Sequence, residues 1–258
     1  STGRVYDQIR QSIAYSEKVQ SALLSDHSEM PKLFPNSFIL FLPKDVVSGD
    51  FYWFTKKDNK RFIAAADCTG HGIPGALLSV MGTNFLEDIV FGKGIHQAAR
   101  ILGTLRSMVV NAFNDEKQGK RHDGMDIALL VFDDEAESLN YSGAKNPLYL
   151  IRDGELEVYP ADRMAVGFED GEALSTPFKE VEIKFQKNDC LYIFSDGYAD
   201  QFGGPKGKKF MYGKLKKLLL EIHQNDMDTQ REILHQTFQD WKAKEAQVDD
   251  VIIIGIRI

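Results

Sequence analysis

Short aromatic and β-branched runs, separated by tight turns and interrupted by helical segments only in pairs, limit most strongly what this 258-residue chain can become. "SFILFLP" (37–43), "DFYWFT" (50–55) and "RFIAAAD" (61–67) come close together, and "KKDNK" makes a hairpin of the last two. "DIALLVFD" (126–133), "SLNYSG" (138–143), "PLYLIRDGELEVY" (147–159, turned at Asp153-Gly154), "VEIKF" (181–185), "CLYIFSD" (190–196) and "VIIIGIRI" (251–258) follow as further strands. Helices are predicted over about 74–91 with 95–113, and over 208–223 with 228–244. This order lacks the regular strand–helix alternation of a parallel sheet. Antiparallel sheets packed face to face, with helices outside, are expected.

One further helix is predicted ahead of the strands, over residues 4–24. Val5, Ile9, Ser12, Ser16, Val19 and Leu23 recur at steps of four and three, a seam that suits a partner helix or the chain's own body. The polar, proline-containing stretch "SDHSEMPKLFPN" (25–36) reads as a linker. The expected division is a regulatory or linker helix over 1–30 and a catalytic domain over 31–258.

Charge and cysteine usage narrow the partners. A net charge of −7 advertises no basic surface for nucleic acid. Two cysteines with no paired spacing favour a reducing, cytoplasmic setting. No apolar run reaches the roughly 18 residues of a spanning helix, and the polar opening "STGRVYDQ" reads as no signal peptide.

The chemistry is expected where buried-looking strands begin or end at an aspartate beside small residues. Four places share this feature: "VVSGDFYWF" (Asp50), "FIAAADCTGHG" (Asp67), "LYIFSDGYAD" (Asp196, then Asp200) and "VDDVIIIGI" (Asp249, Asp250). A carboxylate at the edge of an apolar run is costly unless it is paired or holds a metal. No lysine or arginine adjoins these aspartates in sequence, and Mg²⁺ or Mn²⁺ prefers carboxylate and carbonyl oxygens with water. Taken singly, each motif reads as a turn, cap or linker rather than a site. Together, and in this order, they point to a site.

The series "PKDVVSGDFYWF … ADCTGHGIPGAL … YSGAKNPLYLIRDGELEVY … FSDGYAD … VDDV" resembles the metal-dependent Ser/Thr protein phosphatases (the PPM, 2C-like family), and within them the SpoIIE-type bacterial phosphatase domain, over about residues 37–258. The resemblance implies an α+β fold, a four-layer α-β-β-α sandwich of two antiparallel sheets flanked by helix pairs, with two Mn²⁺ or Mg²⁺ ions at one end. By motif it assigns the catalytic roles to Asp67, bridging both metals, and Asp50. The Cys68 backbone carbonyl, Asp196 and Asp249 complete the metal set, with Asp249 chosen over Asp250 as the first of the closing pair. Asp200 falls where some members hold a third metal, and Lys44 is either a phosphate contact or a strand-end lysine.

Hydrolysis of a phosphoserine or phosphothreonine on a regulatory protein of the anti-anti-sigma (STAS) type is the implied reaction. An upstream sensor acting through the N-terminal helix, and a homodimer through the same helix, are the implied partners. Departures from the family pattern keep two alternatives open, a non-catalytic interaction module and a small-phosphoester hydrolase. His71 is displaced from the usual histidine position and reads as a loop histidine, and Ile252 replaces the usual hydroxyl residue. The segment 160–180 reads as a connection or a substrate-facing flap.

Overall fold

The computed structural model describes residues 2–113, 123–167 and 175–258. It begins with helix α1 (Thr2–Leu23) and a short helix α2 (Met30–Leu33). Strands β1 (Ser37–Leu42), β2 (Asp50–Lys57) and β3 (Lys60–Cys68) lead into helices α3 (Gly72–Glu87) and α4 (Ala98–Phe113). Then come β4 (Gly124–Asp133), β5 (Ser138–Ala144), β6 (Leu148–Arg152), β7 (Glu155–Tyr159), β8 (Val166–Gly167), β9 (Val181–Lys184) and β10 (Cys190–Phe194). A single turn α5 (Gly197–Asp200), a small hairpin β11 (Phe202–Gly203) and β12 (Lys208–Lys209), helices α6 (Tyr212–Ile222) and α7 (Met227–Lys242), and strand β13 (Val251–Arg257) complete the order.

All named strand pairs are antiparallel. One sheet runs β1-β13-β10-β6-β7, and the other runs β2-β3-β4-β5-β9 with β8 beside β4. Strand alternation builds the layers. In β3, Ile63 and Ala65 face the opposing sheet, whereas Phe62, Ala64 and Ala66 face α3 and α4. In β13, Ile252, Ile254 and Ile256 enter the sandwich, whereas Val251 and Ile253 face α6 and α7. Central strands buried on both faces read as unbroken apolar runs, which explains "FIAAA" and "VIII". The result is the expected α-β-β-α sandwich.

Three expectations are corrected at the level of elements. The helix expected over 208–223 starts at Tyr212, because Lys208–Lys209 pair with Phe202–Gly203 as a hairpin. Phe210 is then buried against Tyr198 and Trp241, with ring centroids 5.2 and 5.3 Å away. The helix expected to reach residue 91 ends its regular part at Glu87 and continues as a π turn over Asp88–Gly92. The stretch 25–36 is packed rather than free: Met30 and Phe34 are 2% and 1% exposed and belong to the core between the sheets. Within 160–180, residues 168–174 lie outside the described residues.

Among the described residues, α1 is attached through its last turns. Gln20 is buried, and its Nε2 donates to the Ser48 carbonyl (2.6 Å) and to Ser79 Oγ (2.9 Å). The Ser48 backbone N–H donates back to Gln20 Oε1 (3.1 Å). Val5, Ile9, Val19 and Leu23 of the predicted seam remain exposed.

Candidate active site

Register brings the aspartates together. Asp50 and Asp67 are cross-strand partners in the β2–β3 pair, and Asp67 pairs on its other side with Asp126 of β4. Three carboxylates thus cross one end of the second sheet. In the first sheet β10 lies antiparallel to β13, with Phe194 opposite Ile253. The end of β10, carrying Asp196, and the start of β13, preceded by Asp249, therefore reach the same edge. A cavity of about 250 Å³ opens there, lined by Asp67, Asp196, Asp249, Asp126, Thr69 and His71 among others.

Asp50 lies behind this cavity, 1% exposed. Its carboxylate accepts the Ser195 hydroxyl hydrogen, and Ser195 Oγ in turn accepts the Ile252 N–H (3.1 Å). A hydroxyl expected from the position of Ile252 is thus supplied by Ser195, while Ile252 fills the sandwich core. Asp250 is also buried, but it staples a loop: its two oxygens accept the N–H groups of Lys44 (2.8 Å) and Gly49 (2.8 Å). Asp249 lines the cavity and Asp250 does not.

Glycines allow the backbone to converge. Gly70 and Gly72 hold φ of +84° and +65°, a region side chains rarely adopt. At Gly75, in the first turn of α3, a Cβ would stand 2.7 Å from the Gly70 carbonyl oxygen and 3.0 Å from Gly49 Cα. The loop ahead of Asp50, the loop after Cys68 and the start of α3 therefore meet with no room for a methyl group. The Cys68 N–H donates to the Gly49 carbonyl (3.1 Å), which ties the first two together.

Burial and, after it, neighbouring negative charge set the electrostatics of the site. Burial first, and then the charges of Asp50 and Asp196, push the Asp67 carboxyl up to about 11. Burial likewise raises Asp50 well above the usual carboxylate range, with Asp250 and Asp249 adding to it against the Ser195 hydrogen bond. Asp249 is raised mainly by burial, with the Asp196 and Asp250 charges adding and Lys44 opposing. Asp196 Oδ1 is buried without a hydrogen-bond partner. Clustered carboxylates and an orphaned oxygen fit an oxygen-seeking divalent cation. Among the described residues, no three His, Cys, Asp or Glu side chains already close on one point as a cage. A Mg²⁺-type site keeps several waters and needs only one or two carboxylates per ion, so the donor set fits such an ion.

The remaining predicted residues fall outside this arrangement in part. Asp200 is ion-paired with Lys209 (3.1 Å) and does not line the cavity. Lys44 approaches Asp249 closely enough to oppose its shift, yet its side chain is not in the cavity lining. His71 stands at the N-cap of α3 without capping it, and its Nδ1 lies 3.1 Å from Asp45 Oδ2 at the cavity rim. Sequence reasoning missed Asp126 and Ser195. Asp126 carries the same signal as the others, a carboxylate at the start of "DIALLVF", whereas nothing local marks Ser195.

No helix among the described residues is long and apolar enough to cross a membrane. The family described as "Stage II sporulation protein E (SpoIIE)" matches residues 57–258. The chain is 25% identical over 199 residues to "Phosphoserine phosphatase RsbU" of Bacillus subtilis (strain 168), covering 76% of this chain and 56% of that protein's length. Among solved structures, the SiaA-PP2C domain of Pseudomonas aeruginosa superposes with a TM-score of 0.85 at 28% identity, covering 98% of both chains. The PP2C phosphatase domain of SpoIIE from Bacillus subtilis, solved with a fragment of its regulatory domain, gives 0.70 at 18% identity, covering 86% of this chain and 63% of that one. A match over residues 57–258, together with the shared sandwich, places the chain in the SpoIIE family of PP2C-type phosphatase domains.

Proposed function

We propose that this chain is a metal-dependent protein serine/threonine phosphatase. The observation that carries the reading is the meeting of Asp50, Asp67, Asp196 and Asp249 at one end of the sandwich, with Asp196 Oδ1 left unpartnered. Two Mn²⁺ or Mg²⁺ ions would be held by these four carboxylates and the Cys68 carbonyl. They would supply Lewis-acid activation of water and neutralisation of charge on a phosphoryl group. The chain's own residues do the positioning. Ser195 fixes the Asp50 carboxylate, and Asp250 holds the 44–49 loop against the cavity. Gly70 and Gly75 let the loop after Cys68 pass close behind the site.

The substrate in this reading is a phosphoserine or phosphothreonine on a regulatory protein of anti-anti-sigma type. Similarity to a protein named phosphoserine phosphatase supports it. The domain division is also part of the proposal: α1 acts as a regulatory element, coupled to an upstream sensor and able to pair with a second copy, and residues 31–258 form the catalytic domain. Its support is the exposed seam of α1 and the Gln20 contacts, which reach the residue two before Asp50. A cytoplasmic location belongs to the same reading.

Phosphate release from a phosphoserine peptide, with Mn²⁺, Mg²⁺ or chelator, tests it on the wild type and on Asp67→Asn. Metal-dependent release that disappears in Asp67→Asn is expected. Release that persists with chelator, or in the variant, would sink the assignment. Absence of both release and calorimetric metal binding would favour an interaction module.

A further inference from the structure

Residues 201–220 carry six lysines (Lys206, Lys208, Lys209, Lys214, Lys216 and Lys217) and no acidic residue, in a chain whose net charge is −7. They form the β11–β12 hairpin and the first turns of α6. Lys209 is paired with Asp200. Lys206, Lys208 and Lys217 are exposed and make no ion pair among the described residues. Exposed apolar side chains are interleaved with them: Phe202, Met211 and Tyr212 are 41%, 57% and 39% exposed.

This segment is fixed beside the candidate active site. The Met211 N–H donates to the Ala199 carbonyl (2.8 Å), and the Tyr212 ring packs against Phe194, two residues before Asp196 (6.1 Å between centroids). Tyr212 is close enough for Asp196, Asp200 and Asp67 to add to the upward shift that burial gives its phenol. Met211 itself sits at φ +74°, an unfavourable conformation for a side-chain-bearing residue. Such strain is maintained where the surroundings hold it, and it clusters at working sites. A mixed cationic and apolar surface therefore adjoins a cavity lined by carboxylates.

The two signs suit one occupant. A phosphoprotein approaching the cavity brings a dianion toward Asp67, Asp196 and Asp249. Lysines on the hairpin and helix anchored beside the cavity by Met211 and Tyr212 offset part of that repulsion, and they attract acidic side chains flanking the phosphorylated residue. We propose that the face formed by β11–β12 and the start of α6 is the docking surface for the phosphoprotein substrate, and that it selects a partner with acidic residues around its phosphoserine. The proposal rests on the phosphatase reading and adds the chemistry of the partner. An anionic lipid surface could use the same charges, but it would not need them next to the carboxylate cavity. Their placement favours the substrate.

The test compares two labelled phosphoserine peptides of equal length, one flanked by Asp and Glu and one by uncharged residues. Binding is followed by fluorescence anisotropy on the Asp67→Asn chain, which prevents turnover. It is then repeated with Lys206→Gln, Lys208→Gln and Lys217→Gln added together. Exposed charge contacts are individually weak, and three of them acting together at low ionic strength predict about tenfold tighter binding of the acidic peptide. The preference should fall to within about twofold in the triple variant and at high salt. Turnover of p-nitrophenyl phosphate, with Asp67 intact, should be unchanged by the three substitutions. Equal affinities, or a preference that survives the triple substitution, overturn the proposal. So does lysine-dependent sedimentation with phosphatidylserine vesicles when the peptides show no preference. If the wild type fails to hydrolyse p-nitrophenyl phosphate with any metal, the phosphatase reading fails, while the binding comparison still decides the docking surface.

Discussion

Replacing Gln20 with alanine probes how the N-terminal helix is joined to the site. Gln20 is 7% exposed and is the polar link from α1 to both Ser48 and Ser79. Alanine would leave the Ser48 N–H without its bond to Gln20 Oε1 and the Ser48 carbonyl without its donor at 2.6 Å. Ser79 Oγ keeps its own bond to the Ala76 carbonyl (2.7 Å), so it contributes little to the loss. An unsatisfied buried group costs about 1–3 kcal/mol. Two such groups, partly rewetted through the space left by the side chain, predict a loss of about 3 kcal/mol. For a chain of this size that corresponds to a fall in Tm of roughly 6–12 °C. Because Ser48 also accepts the Asp50 N–H on its Oγ (3.1 Å), the loosened loop should raise the Mn²⁺ concentration needed for half-maximal turnover. Thermal unfolding by circular dichroism and a metal titration of peptide dephosphorylation measure the two effects. An unchanged Tm together with an unchanged metal midpoint would refute the reasoning. A lower Tm with an unchanged midpoint would mean that the contact is structural only.

Four other substitutions have worked-out signs. Gly75→Ala places its methyl 2.7 Å from the Gly70 carbonyl oxygen and should cost most of the phosphatase activity, whereas Gly103→Ala, with nothing within 4 Å in the middle of α4, should add about 0.5–1 kcal/mol of stability in urea unfolding. Arg152→Ala removes the side chain bonded at 2.9 and 2.7 Å to Asp189, whose carboxylate is 4% exposed; a buried charge losing its partner predicts a loss of about 3 kcal/mol in the same assay. Asp226 caps α7 by accepting from the Thr229 N–H and hydroxyl, which holds its carboxyl below the usual range. Its contribution is therefore present above the unfolded carboxylate pKa and lost as pH falls through the lower folded value, so the Tm deficit of Asp226→Ala should be full at neutral pH and vanish in strong acid.

The strands of this fold were legible because their constraint is local. A strand covered on both faces must be apolar at every position, and "FIAAA" and "VIIIGI" admit little else. The hairpin β11–β12 was not legible for the opposite reason. "KGKKFMYGKLKKLL" has lysines and leucines at helical spacing, and the strand pairing of Lys208–Lys209 depends on Phe210 finding Tyr198 and Trp241, residues 12 and 31 positions away. The stretch 25–36 misleads in a related way. Its polar residues read as a linker, yet Met30 and Phe34 reach the core between the sheets, with Phe34 edge-on to Phe132 at 5.3 Å.

The candidate site divides along the same line. A carboxylate beside an apolar strand is expensive to leave unexplained, so Asp50, Asp67, Asp196 and the Asp249-Asp250 pair stand out from the sequence itself, and Asp126, first residue of the run "DIALLVFD", carries the same signal. The groups that hold those carboxylates carry no such mark. Ser195 reaches Asp50 across 145 positions, Asp250 reaches Lys44 across 206, and Gln20 reaches Ser79 across 59. A serine or glutamine in sequence predicts no partner, because either is equally stable in water. Lysines are the extreme case, since an exposed ammonium costs nothing anywhere on a surface. What distinguishes the lysines of 206–217 is position alone, set by Tyr212 lying on Phe194 and by the Met211–Ala199 bond. The acidic centre could therefore be read from energetic cost in the sequence, but the basic surface beside it needed the fold.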